Sequence, residues 1–313
     1  MFRSCEGRNP LSIDGMSKSK PAYLVFDIET VADGRLIQQV RYPDQPDLSP
    51  AEAVAQQRAE LMAKTGSDFI PHTFQLPISV AIAKVGLDHH LMDVVTLDAP
   101  HFRPQVIARQ FWQGWEHYGQ PSFVTFNGRG FDIPVMELAA YRYGIAIPHW
   151  MRFNVKSWED PRNRFNSSAH IDVQEHLTNF GAARANGGLN LCATLLGKPG
   201  KMGTQGHMVQ DLWESGEHQR IDDYCVCDAL DTYFVFLRMR VLQGFLSIDQ
   251  ERACVESARE WIANAAAERE SLSEYLSAFS YWEPTADDAW PFLSAADAPT
   301  PAEPNPPAAT DGE

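Results

Sequence analysis

The residues of this chain best suited to chemistry are Asp27 and Glu29, set in the run Tyr23-Leu24-Val25-Phe26-Asp27-Ile28-Glu29-Thr30-Val31. Four apolar residues lead into an acid, one isoleucine follows, and a second acid comes next. A short run this rich in aromatic and β-branched residues predicts a buried strand. Side chains two apart on a strand share a face, so the two carboxylates project side by side. Neighbouring carboxylates in a buried setting repel, and each resists ionising unless a cation lies between them. Hard divalent ions with oxygen ligands supply that compensation. A lone D-x-E also fits a solvated strand end, so the reading turns on whether further acids arrive downstream.

Two more acids have the right setting. Asp132 lies in Phe126-Asn127-Gly128-Arg129-Gly130-Phe131-Asp132-Ile133-Pro134, where a strand ends, glycines let the backbone turn, and an acid enters the first turn of a helix. A helix N-terminus favours a carboxylate for capping alone. Asp228 follows Tyr224 by four residues in a helical pattern, which points a phenol and a carboxylate at one spot. Asp222, Asp223 and Asp231 nearby also fit a helix that merely carries surface acids.

Together these segments resemble the DEDD superfamily of 3′–5′ exonucleases. Its first motif matches Phe26-Asp27-Ile28-Glu29-Thr30, its second matches Asn127 with Phe131-Asp132-Ile133-Pro134, and its third, Tyr-x-x-x-Asp, matches Tyr224 and Asp228. The tyrosine marks the DEDDy branch, since the histidine branch places His where this chain has Asp223. Within that branch the chain resembles predicted exonucleases related to the proofreading domain of family-B DNA polymerases. The likeness runs from Pro21 to Leu246 and includes Phe69-Ile70-Pro71, His170-Ile171-Asp172 and the Gly/Lys loop around Lys201.

The resemblance implies a ribonuclease-H-like α/β fold, a mixed β-sheet flanked by helices, here with a C-terminal helical extension. It implies two Mg²⁺ or Mn²⁺ ions, one held by Asp27, Glu29 and Asp228, the other by Asp27 with Asp132. It also implies that Tyr224 positions the attacking water, and that 5′-mononucleotides leave the 3′ end of a single strand. DNA is favoured over RNA by the likeness to polymerase-associated exonucleases. An exoribonuclease uses the same acids, and a catalytically silent binding or scaffold module would keep the fold. Among weaker candidates, Asn127 either contacts substrate or caps its turn. Asp172 either steadies the site from behind or caps a strand end. Lys198 and Lys201, on a glycine-bearing loop, are placed to meet the phosphate backbone, and Arg129, Arg162 and Arg164 lie along the same expected strand path. Phe111, Trp112 and Trp115 read as core.

The elements that must position these residues follow from local signals. Strands are predicted at 22–31, 78–85, 91–97, 122–126 and 170–173. Ser49 and Pro50 open a helix that stops at Gly66. Further helices are predicted over 103–118, 132–143, 190–196 and 221–242, with one or two more over 252–279. The expected organisation is a disordered extension (1–20), an exonuclease domain (21–246), a helical extension (247–284) and a disordered acidic tail (285–313). Met16 reads as an alternative start.

The 313 residues are 44% hydrophobic, enough for a sizeable core. Net charge is −15, which argues against a nucleic-acid partner until its distribution is considered. From Ser247 onward there are 14 acids against 3 basic residues, whereas Pro121–Arg220 holds ten Lys/Arg against nine acids. The acidic tail could dock a replication or repair protein, though its composition says only that it is disordered. No membrane span or secretory leader is read, and the five cysteines form no metal-finger spacing, so a cytoplasmic location with reduced thiols is expected.

Overall fold

A computed structural model describes residues 20–203 and 206–284. The chain runs β1 (Tyr23–Ala32), α1 (Gly34–Arg41), α2 (Pro50–Thr65), β2 (Gln75–Val85), β3 (Leu91–Thr96), α3 (Pro104–His117), β4 (Ser122–Thr125), α4 (Asp132–Tyr143), β5 (His170–Asp172), α5 (Val173–Leu177), α6 (Gly188–Leu195), α7 (Val209–Glu214), α8 (His218–Leu242), α9 (Ile248–Ala265) and α10 (Glu270–Ala278). The strands form one mixed sheet in the order β3-β2-β1-β4-β5. β1 and β2, and β2 and β3, pair antiparallel, while β1 with β4 and β4 with β5 pair parallel. This is the α/β architecture expected of a ribonuclease-H-like exonuclease, with helices on both sides of the sheet. The expected extension at 1–20 (apart from Lys20) and the expected acidic tail lie outside the described residues.

β1 is the central strand, and its alternating side chains serve two cores. Leu24, Phe26 and Ile28 pack with Ile107, Phe111 and Trp112 of α3 and with Ile133 and Met136 of α4. Val25 points the other way, into a cluster built on α8 through Cys225, Val226, Ala229 and Tyr233. Being buried on both faces explains why β1 reads as an unbroken apolar run rather than an alternation. α8 is buried along most of its length, and α9 and α10 share its core through Cys254, Ala258, Ile262, Leu272 and Tyr275.

Helix limits follow the capping signals. Ser49 and Glu52 form a reciprocal capping box on α2, and Gly66 ends that helix in the left-handed conformation. α1 carries weaker signals, a glycine at its first position and prolines soon after its last, yet Asp33 caps it by accepting from the Leu36 amide. Asp33 also pairs with Arg142 of α4. Among the described residues no helix is long and apolar enough to cross a membrane.

Phe26 is wholly buried, with its ring edge-on to Phe111 and Phe123 at 5.0 and 5.2 Å between centroids. Replacing it with alanine is expected to cost about 3–5 kcal/mol in denaturant unfolding, because this packed aromatic layer cannot collapse onto the void. A loss below about 1 kcal/mol would show the layer to be plastic.

Candidate active site

β1 outruns its parallel neighbour. Pairing with β4 covers only Tyr23–Val25, so Asp27 and Glu29 continue past the end of β4, where the chain turns away into α4. A crevice beyond the carboxyl ends of strands, where neighbours diverge, is the usual ligand position in an open α/β sheet. Asp27 and Glu29 extend the row of Val25, so both face α8.

α8 brings the third carboxylate. Oxygen atoms of Asp27, Glu29 and Asp228 all lie within 4.8 Å of one another. One turn earlier on α8, Tyr224 shares the helix face of Asp228 and lines the same cavity. Between them, the Cys225 thiol donates to the Asp27 carbonyl at 3.3 Å and so fastens helix to strand.

Asp132 comes in from the opposite side of the sheet, as the first residue of α4. The turn that delivers it demands particular residues. Asn127 adopts φ +67°, a left-handed conformation that asparagine tolerates well. A side chain at Gly128 would meet Thr125 at 2.5 Å. Asp172, itself buried, accepts from the backbone amides of Asn127 and Arg129 at 2.9 Å each and also caps α5. It thereby fixes the turn from behind.

The electrostatics are those of a site short of positive charge. Burial raises the Asp27 carboxyl well above the usual carboxylate range, and Asp228, Asp132 and Glu29 add to the rise. Glu29 is raised by burial and by Asp228 and Asp132, with Lys201 opposing. Asp132 is pushed up to about 7 by burial, against the amides of Asp132 itself and Ile28. Asp228 reaches about 6 by burial, against Tyr224 and Lys201. Carboxylate oxygens this close, strained by one another's charge and with one nearby lysine to offset them, fit hard divalent cations.

The acids stand between two cavities. One, of about 500 Å³, is lined by Asp27, Asn127, Lys201, Tyr224, Asp228 and Asp231 among others. The second, of about 330 Å³, holds Glu29, Arg58, Phe69, Phe131 and Gln210. Its two rings, Phe69 and Phe131, meet at a tilt of 53° with centroids 5.8 Å apart, and Phe69 is 59% exposed.

Other candidates are placed elsewhere. Lys198 departs from the expectation of a solvent-facing strand contact. It is buried, its ammonium donates to the Ser280 carbonyl at 2.9 Å, and it lies 4.0 Å from the Phe279 ring centre. Arg129 and Arg164 both pair with Glu175, and Arg162 pairs with Glu137. Phe111, Trp112 and Trp115 are core. Asp231 was not singled out from the sequence, although Tyr224, Asp228 and Asp231 are spaced i, i+4, i+7 on one face of α8. Phe69 enters the sequence reading only within Phe69-Ile70-Pro71, as part of the family likeness, with no role of its own.

The raised carboxyls give a pH signature. Between the ordinary value near 3.8 and the folded values of about 6 to 7, the folded chain binds more protons than the unfolded one. Stability of the metal-free protein therefore falls as pH rises through that window. Asp132→Asn is expected to raise the metal-free Tm by roughly 2–4 °C at pH 8 and to change it little at pH 4. Calorimetric scans of both proteins at the two pH values check this, and parallel behaviour would refute it.

A family model described as predicted 3′-5′ exonuclease related to the exonuclease domain of PolB matches residues 67–279. The match takes in Asp132, Tyr224 and Asp228 and runs through α10, while Asp27 and Glu29 precede it. No curated protein matches the chain.

Proposed function

We propose that this chain, which belongs to the predicted 3′-5′ exonucleases related to the exonuclease domain of PolB, removes nucleotides from the 3′ end of single-stranded nucleic acid, DNA in preference to RNA, as 5′-monophosphates. The observation that carries the proposal is the meeting of Asp27, Glu29 and Asp228 within 4.8 Å from segments two hundred residues apart. The preference for DNA rests on the family's relation to PolB.

Asp27, Glu29 and Asp228 would hold one Mg²⁺ or Mn²⁺, and Asp27 with Asp132 a second. Such a pair supplies charge stabilisation to the entering and leaving oxygens of an in-line phosphoryl displacement. Tyr224 contributes a hydrogen bond rather than a base. Burial and the carboxylates of Asp228, Glu29 and Asp27 push its phenol far above its ordinary value, so it stays protonated and orients what it touches. Lys201, which opposes the charge of Glu29 and Asp228, would draw a phosphate to the mouth of the larger cavity. Phe69 and Phe131, beside Glu29, offer apolar faces to the terminal base. A base can lie there only when unpaired, which favours a single strand over a duplex.

The test compares 5′-labelled single-stranded DNA, duplex DNA and RNA, each with Mg²⁺ or Mn²⁺ and with EDTA. Expected is a ladder shortening from the 3′ end, fastest on single-stranded DNA, abolished by EDTA and by Asp27→Ala. Tyr224→Phe should lower kcat by about 10²-fold, the scale of a loss of positioning at the reacting centre. Phe69→Ala should raise KM by roughly tenfold while sparing kcat, as loss of one stacked base implies. If no substrate is shortened in a metal-dependent way, the proposal fails.

A further inference from the structure

The loop Gly197-Lys198-Pro199-Gly200-Lys201 is held from two sides, and one of those sides is the end of α10. Gly197 offers its carbonyl to the Ser280 amide at 2.7 Å and to the Ser280 hydroxyl at 3.0 Å. The Lys198 ammonium returns the contact to the Ser280 carbonyl and sits over the Phe279 ring. Gly197 has φ +68°, and a side chain there would meet Ser280 at 2.5 Å, so loop and helix end approach as closely as a glycine allows. Phe279 packs in turn on Phe234 of α8, at 5.5 Å between rings.

A second fastening lies one turn deeper. Tyr275, wholly buried on α10, donates its hydroxyl to Asp231 of α8 at 2.5 Å. Asp231 is also wholly buried, and it lines the larger cavity together with Gly200 of the loop and with Asp27, Tyr224 and Asp228. On the far side of the loop, Asn190 accepts from the Lys201 amide at 2.8 Å. Lys201 lines the same cavity as Asp27 and Asp228, and it is the residue this clasp presents to the acids.

We infer that Tyr275 and Lys198 are positioning residues, and that α10 clasps the Gly197–Lys201 loop so that Lys201 stands over the acid cluster. The inference rests on the exonuclease reading for what Lys201 does there, and it gives Lys198 a task other than meeting the strand. It also gives a reason for the family match to extend as far as residue 279. A loop with three glycines among residues 197–203 would otherwise leave Lys201 free to sample many positions.

The test uses the full chain carrying Tyr275→Phe, which removes one oxygen and keeps the ring, or Lys198→Met, which keeps an aliphatic stem. Both are expected to lower kcat on single-stranded DNA about tenfold, with KM and its salt dependence within about twofold of wild type. Tryptic cleavage after Lys201 should quicken severalfold in each, with the Tm of the whole protein little changed. If Lys198→Met instead raises KM and flattens the salt dependence, Lys198 meets the phosphate backbone and the clasp is overturned. Unchanged kcat and unchanged cleavage in both variants overturn it as well. Should Tyr275→Phe not fold, Lys198→Met decides alone. A wild type that shortens no strand sinks the exonuclease reading, yet faster cleavage in the variants still supports the clasp and unchanged cleavage still removes it.

Discussion

The structure depends on one constraint: the carboxylates of Asp27, Glu29 and Asp228 must be held together against their own repulsion. Asp27, Glu29, Asp132 and Asp228 all have carboxyls raised by burial, and those of Asp27 and Glu29 are raised further by the charges of Asp228 and Asp132. Left to itself such a group would splay or protonate. The opposing force is the packing of α8 on β1, through Val25 with Cys225, Val226 and Ala229. The Cys225 thiol on the Asp27 carbonyl adds a directional contact at the place where repulsion is greatest. Burying like charges so close together costs local stability, which this packing offsets.

Topology supplies the opening. Had β4 matched β1 along its full length, Asp27 and Glu29 would have been covered by a neighbouring strand. Because β4 stops at Thr125 and reverses through Asn127 and Gly128, the acids look into a crevice, and the start of α4 delivers Asp132 to the same place. Asp172 makes this reversal rigid by accepting two of its amides. Asp172, from behind the turn, therefore helps to set where Asp132 stands.

Charge is organised locally, and the net value of −15 hides this. Arginines that look like a basic strand path in one dimension are spent on Glu175 and Glu137. Lys198 is drawn inward onto Phe279 and Ser280. Of the two lysines on that loop, Lys201 is the one that lowers the pKa of Glu29 and Asp228. Two cations three residues apart on one glycine-bearing loop have opposite surroundings, and composition could not separate them.

Much of the fold was legible because its signals are local. The apolar run of β1, the helix start at Ser49 and Pro50 and the spacing of Tyr224 and Asp228 all rest on local signals that neighbouring residues decide among themselves. Helices α1, α5 and α7 escaped because they are short and stabilised by distant partners, as Asp33 shows with Arg142. The sequence by itself determined which acids stand on which element and that Asp27 and Glu29 share a face. Only tertiary structure decided that α8 lies across β1, that Asp231 and Phe69 line cavities beside the acids, and that Lys198 turns toward Ser280 and Phe279. Those outcomes depend on contacts between residues far apart in the chain, and no local spacing encodes which of two exposed-looking side chains a later helix will cover.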